Sequence, residues 1–208
     1  MYRQIAKWLV HHLKVYNTSL SEETLQEIFI YGVEITLSTI VSYGLVLLEG
    51  FLLGAWQCTV IFEIVFTSIR LYMGGYHCTS YLSCNLTFCG IYGLIYLLAK
   101  CLAQSTNTFS IISIILLWSG LGIWTMQPIG NKHKPISKAQ KQQCHRIAKA
   151  LFLADAAIAI FLYLLASIYG ITVAMSLGIA VLLIPIGKWS ERRRYHHEAE
   201  GKVCKNCD

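Results

Sequence analysis

The sequence predicts an all-α, polytopic integral membrane protein with six transmembrane helices, an N-terminal amphipathic helix in the membrane interface, and both termini in the cytosol. Three observations predict it. The 208 residues are 55% hydrophobic and only 13% charged, with mean hydropathy +0.53; a soluble domain of this size carries about 25% charged residues. Apolar runs of roughly 18–20 residues, enough to cross ~30 Å of hydrocarbon as a helix, recur over 28–48, 51–69, 86–103, 109–126, 150–167 and 171–187. The basic residues fall almost entirely on one side of that arrangement.

Each element has its own grounds. At the N-terminus, Ile5, Trp8, Leu9, His12, Leu13 and Tyr16 repeat at helical spacing opposite Arg3, Lys7, His11 and Lys14. That pattern fits a helix over 1–18 lying in the interface. Its charges interrupt any signal-peptide core. Ser19 to Glu22 reads as a capping box for the first spanning helix. The first two runs meet at Gly50, where they read as a kinked hairpin with blurred ends. No soluble domain fits between the runs, so residues 1–208 form one membrane domain, with a six-helix core over 28–187 and a basic tail over 188–208.

Orientation follows from charge. Arg3, Lys7 and Lys14 precede the first span and Arg70 ends the second. Lys132, Lys134, Lys138, Lys141, Arg146 and Lys149 fill the connection after the fourth. Lys188, Arg192, Arg193, Arg194, Lys202 and Lys205 follow the sixth, and only Lys100 lies near the other face. Sixteen of 17 basic residues thus share one side, which places that side in the cytosol. The net charge of +6 reflects this topology, and no nucleic-acid partner is expected.

Nearly all of the eight cysteines then lie in the membrane or face the cytosol, where thiols stay reduced. A disulfide framework is not expected, and most of these side chains read as small apolar helix residues. The tail "HHEAEGKVCKNC" has metal-ligand types, but a single Cys-x-x-Cys in a charged, disordered terminus is a weak signal. No metal or other cofactor is expected.

The stretch "RLYMGGYHCTSYLSC", residues 70–84, sits on the cytosolic side between the second and third spans. A histidine and a cysteine in one short break suggest a thiolate nucleophile with its base. His77 could pair with Cys78, Cys84 or Cys89. Adjacent residues point apart, which disfavours Cys78. On one straight helix His77 and Cys84 would stand ~10 Å apart along the axis, beyond the ~3 Å of bonding reach. A catalytic pair therefore requires the helix to break, with Gly74-Gly75 and Thr79-Ser80 supplying the turn. Cys84 would then lie near the start of the third span, where a helix N-terminus favours an anion. The same residues also fit an ordinary loop with a structural histidine and a buried cysteine.

Arg70-x-x-x-Gly74-Gly75-Tyr76-His77 followed by Cys84 resembles the signature of the accessory gene regulator protein B family. Its members are membrane cysteine endopeptidases that process precursors of cyclic peptide pheromones in Gram-positive bacteria. "YGVE" at 31–34 and "QPIGNKHKPIS" at 127–137 are similar to two further family segments, and the matches run in order from about residue 22 to 150. Cys78 departs from the pattern, since the family commonly has a small residue there, and the resemblance offers no role for the Cys204/Cys207 tail. The resemblance implies that His77 is the general base and Cys84 the nucleophile. It also implies that Arg70 is an anchoring or substrate-binding cation, and that Gly74 and Gly75 allow close backbone approach. The expected partners are a short amphipathic precursor peptide, membrane lipids and, as one option, a second copy of the chain. The expected location is the bacterial plasma membrane, with the site facing the cytosol. No third catalytic residue stands out; Asn85 reads as a helix-start residue.

Glu34, Glu63 and Asp155 fall inside predicted spans, where each costs at least ~2.5 kcal/mol unless it faces protein or water. Each lies ~8–9 Å below the cytosolic surface, counted at 1.5 Å per residue from the span ends. The three suggest a water-filled cavity beneath the break; Glu63 could also pair with Arg70 on the same helix face. Lys132 and Lys134 are candidate contacts for an acidic C-terminal segment of the precursor, a segment the resemblance supplies. A different class also accommodates the pattern, a non-catalytic peptide exporter or membrane adaptor, although a transport path has no need of a His–Cys pair at its cytosolic lip.

Overall fold

The computed structural model describes residues 4, 5, 8, 23–74, 80–129 and 137–205, with backbone alone for 23–26, 28, 191, 192 and 194–205. Among the described residues from 23 onward, six helices follow in order: α1 Glu23–Leu52, α2 Trp56–Met73, α3 Tyr81–Leu102, α4 Thr108–Thr125, α5 Lys138–Leu165 and α6 Ser167–Lys205. No strand occurs among the described residues. Of the interfacial segment only Gln4, Ile5 and Trp8 are described; all three are helical, and Ile5 and Trp8 are exposed. The capping box at 19–22 lies outside the described residues.

Five segments are long and apolar enough to cross a membrane: Phe29–Leu52, Tyr81–Leu102, Thr108–Thr125, Lys138–Leu165 and Ser167–Ser190. The helices direct Ile40, Leu48, Leu86, Leu97, Leu117, Leu121, Phe161 and Leu164 outward. An apolar perimeter on this scale suits lipid and would be a liability in water. The chain is a polytopic helical membrane protein.

α2 differs from the predicted second span in both place and character. The predicted run 51–69 joined the end of α1 to most of α2, because hydropathy does not register the turn at residues 53–55, where Gly54 has φ +66°. Gln57, Glu63 and Arg70 make α2 less apolar than the other spans. Packing offsets this: Cys58, Thr59, Phe62, Val65, Phe66, Ile69 and Met73 are buried against neighbouring helices. The hairpin is close, since a Cβ at Gly50 would overlap the Thr59 side chain.

The remaining boundaries shift for local reasons. α3 begins at Tyr81 because the Ser80 side chain accepts the Ser83 N–H. α5 begins far ahead of its apolar run, where Ser137 and Gln140 form a reciprocal capping box. α6 continues through the tail to Lys205, so the tail read as disordered is helical to that point; Glu191, the three arginines and Glu198 are helix-compatible residues.

α6 is the central post, with Ile171, Val173, Ala174, Leu177, Val181 and Ile184 buried against α2, α3, α4 and α5. Its Thr172 and Ser176 hydroxyls donate to carbonyls four residues back, at 2.8 and 2.6 Å, which satisfies them inside the membrane. α3 rests on α1 and α6 and meets α2, the helix that precedes it in the chain, through Phe62 and Phe66 against Phe88 and Tyr92 and the Thr59 hydroxyl on Tyr92 at 2.7 Å.

Candidate functional site

Cys84 is a free, half-buried thiol in the first turn of α3. Its N–H bonds the Ser80 carbonyl at 3.0 Å, the first intrahelical bond of that turn. On the other side of the break, α2 ends at Met73 and Gly74 adopts φ +74°, ψ −164°. The described parts of the 70–84 stretch are thus two helix ends, one closing α2 and one opening α3. His77, Gly75 and Cys78 lie outside the described residues, as do Lys132 and Lys134.

Gly74 is held from two directions. Its N–H donates to the Arg70 carbonyl at 2.9 Å, closing α2, and the Ile129 N–H donates to the Met73 carbonyl at 3.0 Å. The extended residues after α4 thereby cross the end of α2, and a Cβ on Gly74 would come within 3.1 Å of the Ile129 carbonyl oxygen. The histidine-bearing stretch and the lysine-bearing stretch leave this one contact, since His77 is three residues beyond Gly74 and Lys132 three beyond Ile129. Arg70 is half-buried, with its guanidinium 5.5 Å from the centre of the Phe66 ring.

The intramembrane acids do not converge as one set. Glu34 is buried and accepts the Tyr81 hydroxyl at 3.1 Å, which ties α1 to the start of α3. Asp155 of α5 is buried and accepts the Ser68 hydroxyl of α2 at 3.3 Å. Glu63 shares with Tyr43, Ile64, Thr67 and Ser68 the lining of a groove of about 400 Å³. Ser68 therefore stands between Glu63 and Asp155, while Glu34 belongs to the α1–α3 contact. The Glu63 Oε1 is buried without a hydrogen-bond partner among the described residues.

Sequence reading passed over several polar residues that the packing brings together. Ser38 and Ser42 are buried on α1, and their hydroxyls donate to the Asn85 carboxamide oxygen at 3.4 and 2.7 Å. Asn85 is only 3% exposed. A signal was present: Glu34, Ser38 and Ser42 recur every fourth residue, which aligns them on one helix face. Tyr81 and Asn85 have the same spacing on α3. Glu49 was also missed, because α1 was expected to end just before it. It lies against Gly93, and its Oε2 is buried without a partner among the described residues.

Comparison with known proteins follows the same outline. A family model for accessory gene regulator B matches residues 2–186, which takes in α1 to α5 and the first half of α6. No curated protein and no solved structure matches the chain.

Proposed function

The chain belongs to the accessory gene regulator B family, and on that premise we propose that it is a cysteine endopeptidase that cleaves and cyclises a short precursor peptide. Membership places it in the accessory-gene-regulator quorum-sensing system, in the processing of a peptide signal, with a precursor peptide as substrate. The observation that carries the finer reading is the free Cys84 thiol in the first turn of α3, directly after a break that begins at Gly74.

In this reading His77 takes the Cys84 proton, and the sulfur attacks the scissile carbonyl. The C–N bond breaks, the leaving amine takes the proton from the imidazolium, and the precursor stays on Cys84 as a thioester. An internal cysteine thiol of the precursor then attacks that thioester, closing a thiolactone and returning Cys84 as the leaving group. Thioester exchange is nearly isoenergetic, so the second step needs no energy source, only the exclusion of competing water. A serine in the same place of the precursor would give a lactone. Arg70 and the glycines of the break support this site, and Lys132 and Lys134 hold an acidic C-terminal segment of the precursor.

The test is precursor size in liposomes carrying the purified protein. Shortened, cyclised peptide is expected. Relocation of full-length precursor without cleavage would instead indicate an exporter. In the same assay, neutralising Lys132, Lys134 and Lys138 together should raise the precursor concentration needed for half-maximal cleavage. The effect should be larger at low salt, where screening is weak. Equal effects for acidic and neutralised precursor tails would remove these lysines from substrate binding.

The accompanying topology has residues 1–208 as one membrane domain in the bacterial plasma membrane. All six helices cross, residues 1–18 lie in the interface, and both termini face the cytosol together with the site. Cys84 and Cys101 stand at opposite ends of α3, about 26 Å apart at 1.5 Å per residue. A membrane-impermeant thiol reagent should therefore reach Cys101 in intact cells. It should reach Cys84, Cys144, Cys204 and Cys207 only in inverted vesicles. Labelling of Cys144 from outside would overturn this orientation.

A further inference from the structure

We propose that Asn85 is a positioning residue for Cys84, acting through Ser42 and Ser38 of α1 with the Glu34–Tyr81 bond as a second tie. The proposal rests on the assignment of Cys84 as nucleophile. α3 packs on α2 through Phe88 and Tyr92, a turn or more beyond Cys84, whereas the side-chain hydrogen bonds of Tyr81 and Asn85 run to α1, so contacts with α1 decide how the first turn of α3 is rotated. Two polar ties lie in that interface. The Tyr81 hydroxyl donates to Glu34 Oε2 at 3.1 Å, and the Ser42 hydroxyl donates to the Asn85 carboxamide at 2.7 Å. The Ser42 oxygen is also 2.9 Å from the Ser38 carbonyl, a second acceptor for the same proton, and the Ser38 hydroxyl reaches Asn85 at 3.4 Å.

The spacing makes the pair of ties effective. Cys84 and Asn85 stand at i+3 and i+4 from Tyr81, so they flank its face of α3 on either side. The tied residues are about 6 Å apart along the axis, one above Cys84 and one beside it. Two ties at different heights fix both the rotation of the turn and its slide along α1; a single tie would leave one of these free. The buried carboxamide has no water to turn to, so the bond to Ser42 is kept. The consequence is that the thiol direction is set from α1, outside the break itself. The carboxamide is engaged with the serines, and its proposed role is to orient the nucleophile-bearing turn.

The experiment measures kcat and KM for precursor cleavage in liposomes for Asn85→Ala, Ser42→Ala, the double variant and Ser42→Thr. Each rate is normalised to folded protein by size-exclusion chromatography in detergent. Misplacing a reacting group by ~1 Å costs up to about 100-fold in rate, so Asn85→Ala should lower kcat roughly 10- to 100-fold, with KM within about threefold. Ser42→Ala should lower kcat in the same direction. The double variant should lose no more than Asn85→Ala alone, because the Ser42 bond is already lost when the carboxamide is removed. Ser42→Thr keeps the hydroxyl and should recover most of the Ser42→Ala loss. Should Asn85→Ala not fold, the Ser42→Ala and Ser42→Thr pair decides. A kcat within threefold of wild type in Asn85→Ala and Ser42→Ala overturns the proposal. So do multiplying losses in the double variant or a change confined to KM. Cleavage that survives Cys84→Ala would instead overturn the underlying assignment of the nucleophile.

Discussion

Cys84→Ser abolishes precursor cleavage while the protein stays inserted and binds precursor: this is the expected result with the largest effect. A serine hydroxyl is far less ionised than a thiol at neutral pH, and an imidazole partner alone does not compensate. Loss of a nucleophile costs on the order of 10³-fold or more in rate. The substitution removes no packing, since Ser is close to isosteric with Cys and the Cys84 side chain is only half-buried. Cys89→Ala and Cys78→Ala supply the contrast. Cys89 is five residues further along α3, a turn and a half deeper in the bundle, where it packs against the core. Both variants should retain most of their activity. The measurement is the amount of shortened peptide per mole of inserted protein, with precursor binding followed separately by crosslinking. If Cys84→Ala still shortens the precursor, the thiol mechanism is wrong.

Gly74→Ala is expected to lower cleavage by ~10- to 100-fold and to reduce thermal stability in detergent. Two independent causes act there. The backbone at φ +74°, ψ −164° lies in a region that is nearly glycine-only, and holding another residue in it costs about 1–3 kcal/mol. The added Cβ would also press on Ile129 from 3.1 Å at the carbonyl oxygen and 3.3 Å at its Cβ. The cheapest relief is to shift the end of α2 or to break the Ile129 N–H to Met73 bond, and either moves the start of the stretch that carries His77. A misplacement of ~1 Å suffices for a loss of this size. Gly90→Ala on the exposed face of α3, with nothing near its added Cβ, should leave cleavage unchanged and, by helix propensity, raise stability slightly. Wild-type activity in Gly74→Ala would show that this end of α2 tolerates a side chain and that its geometry does not serve the site.

Much of the architecture was legible because it is local. Apolar runs give helices of membrane length, and Gly74-Gly75 marks a break because other residues resist the backbone it needs. Resemblance at His77 and Cys84 pointed to the family, which the match over residues 2–186 then showed. Boundaries were less legible. Hydropathy could not place the turn at 53–55, since Phe51, Leu52 and Leu53 are as apolar as the helices they join. Nor could it mark the start of α5, where a polar capping box opens the helix well before the apolar run.

What the sequence determined by itself, then, was which segments are helical and apolar, where the chain must break, and which side chains have the chemistry of a nucleophile and a base. Only the tertiary structure decided who meets whom. Glu34, Glu63 and Asp155 looked alike as acids of similar depth, yet Glu34 bonds Tyr81, Asp155 bonds Ser68, and Glu63 faces a groove. Asn85 looked like a helix-start residue, yet it bonds two serines more than forty positions away. Helical period assigns a residue to a face but says nothing of what that face will touch. In a membrane that choice falls to close packing and to the cost of an unpaired polar group, both properties of helices distant in the chain.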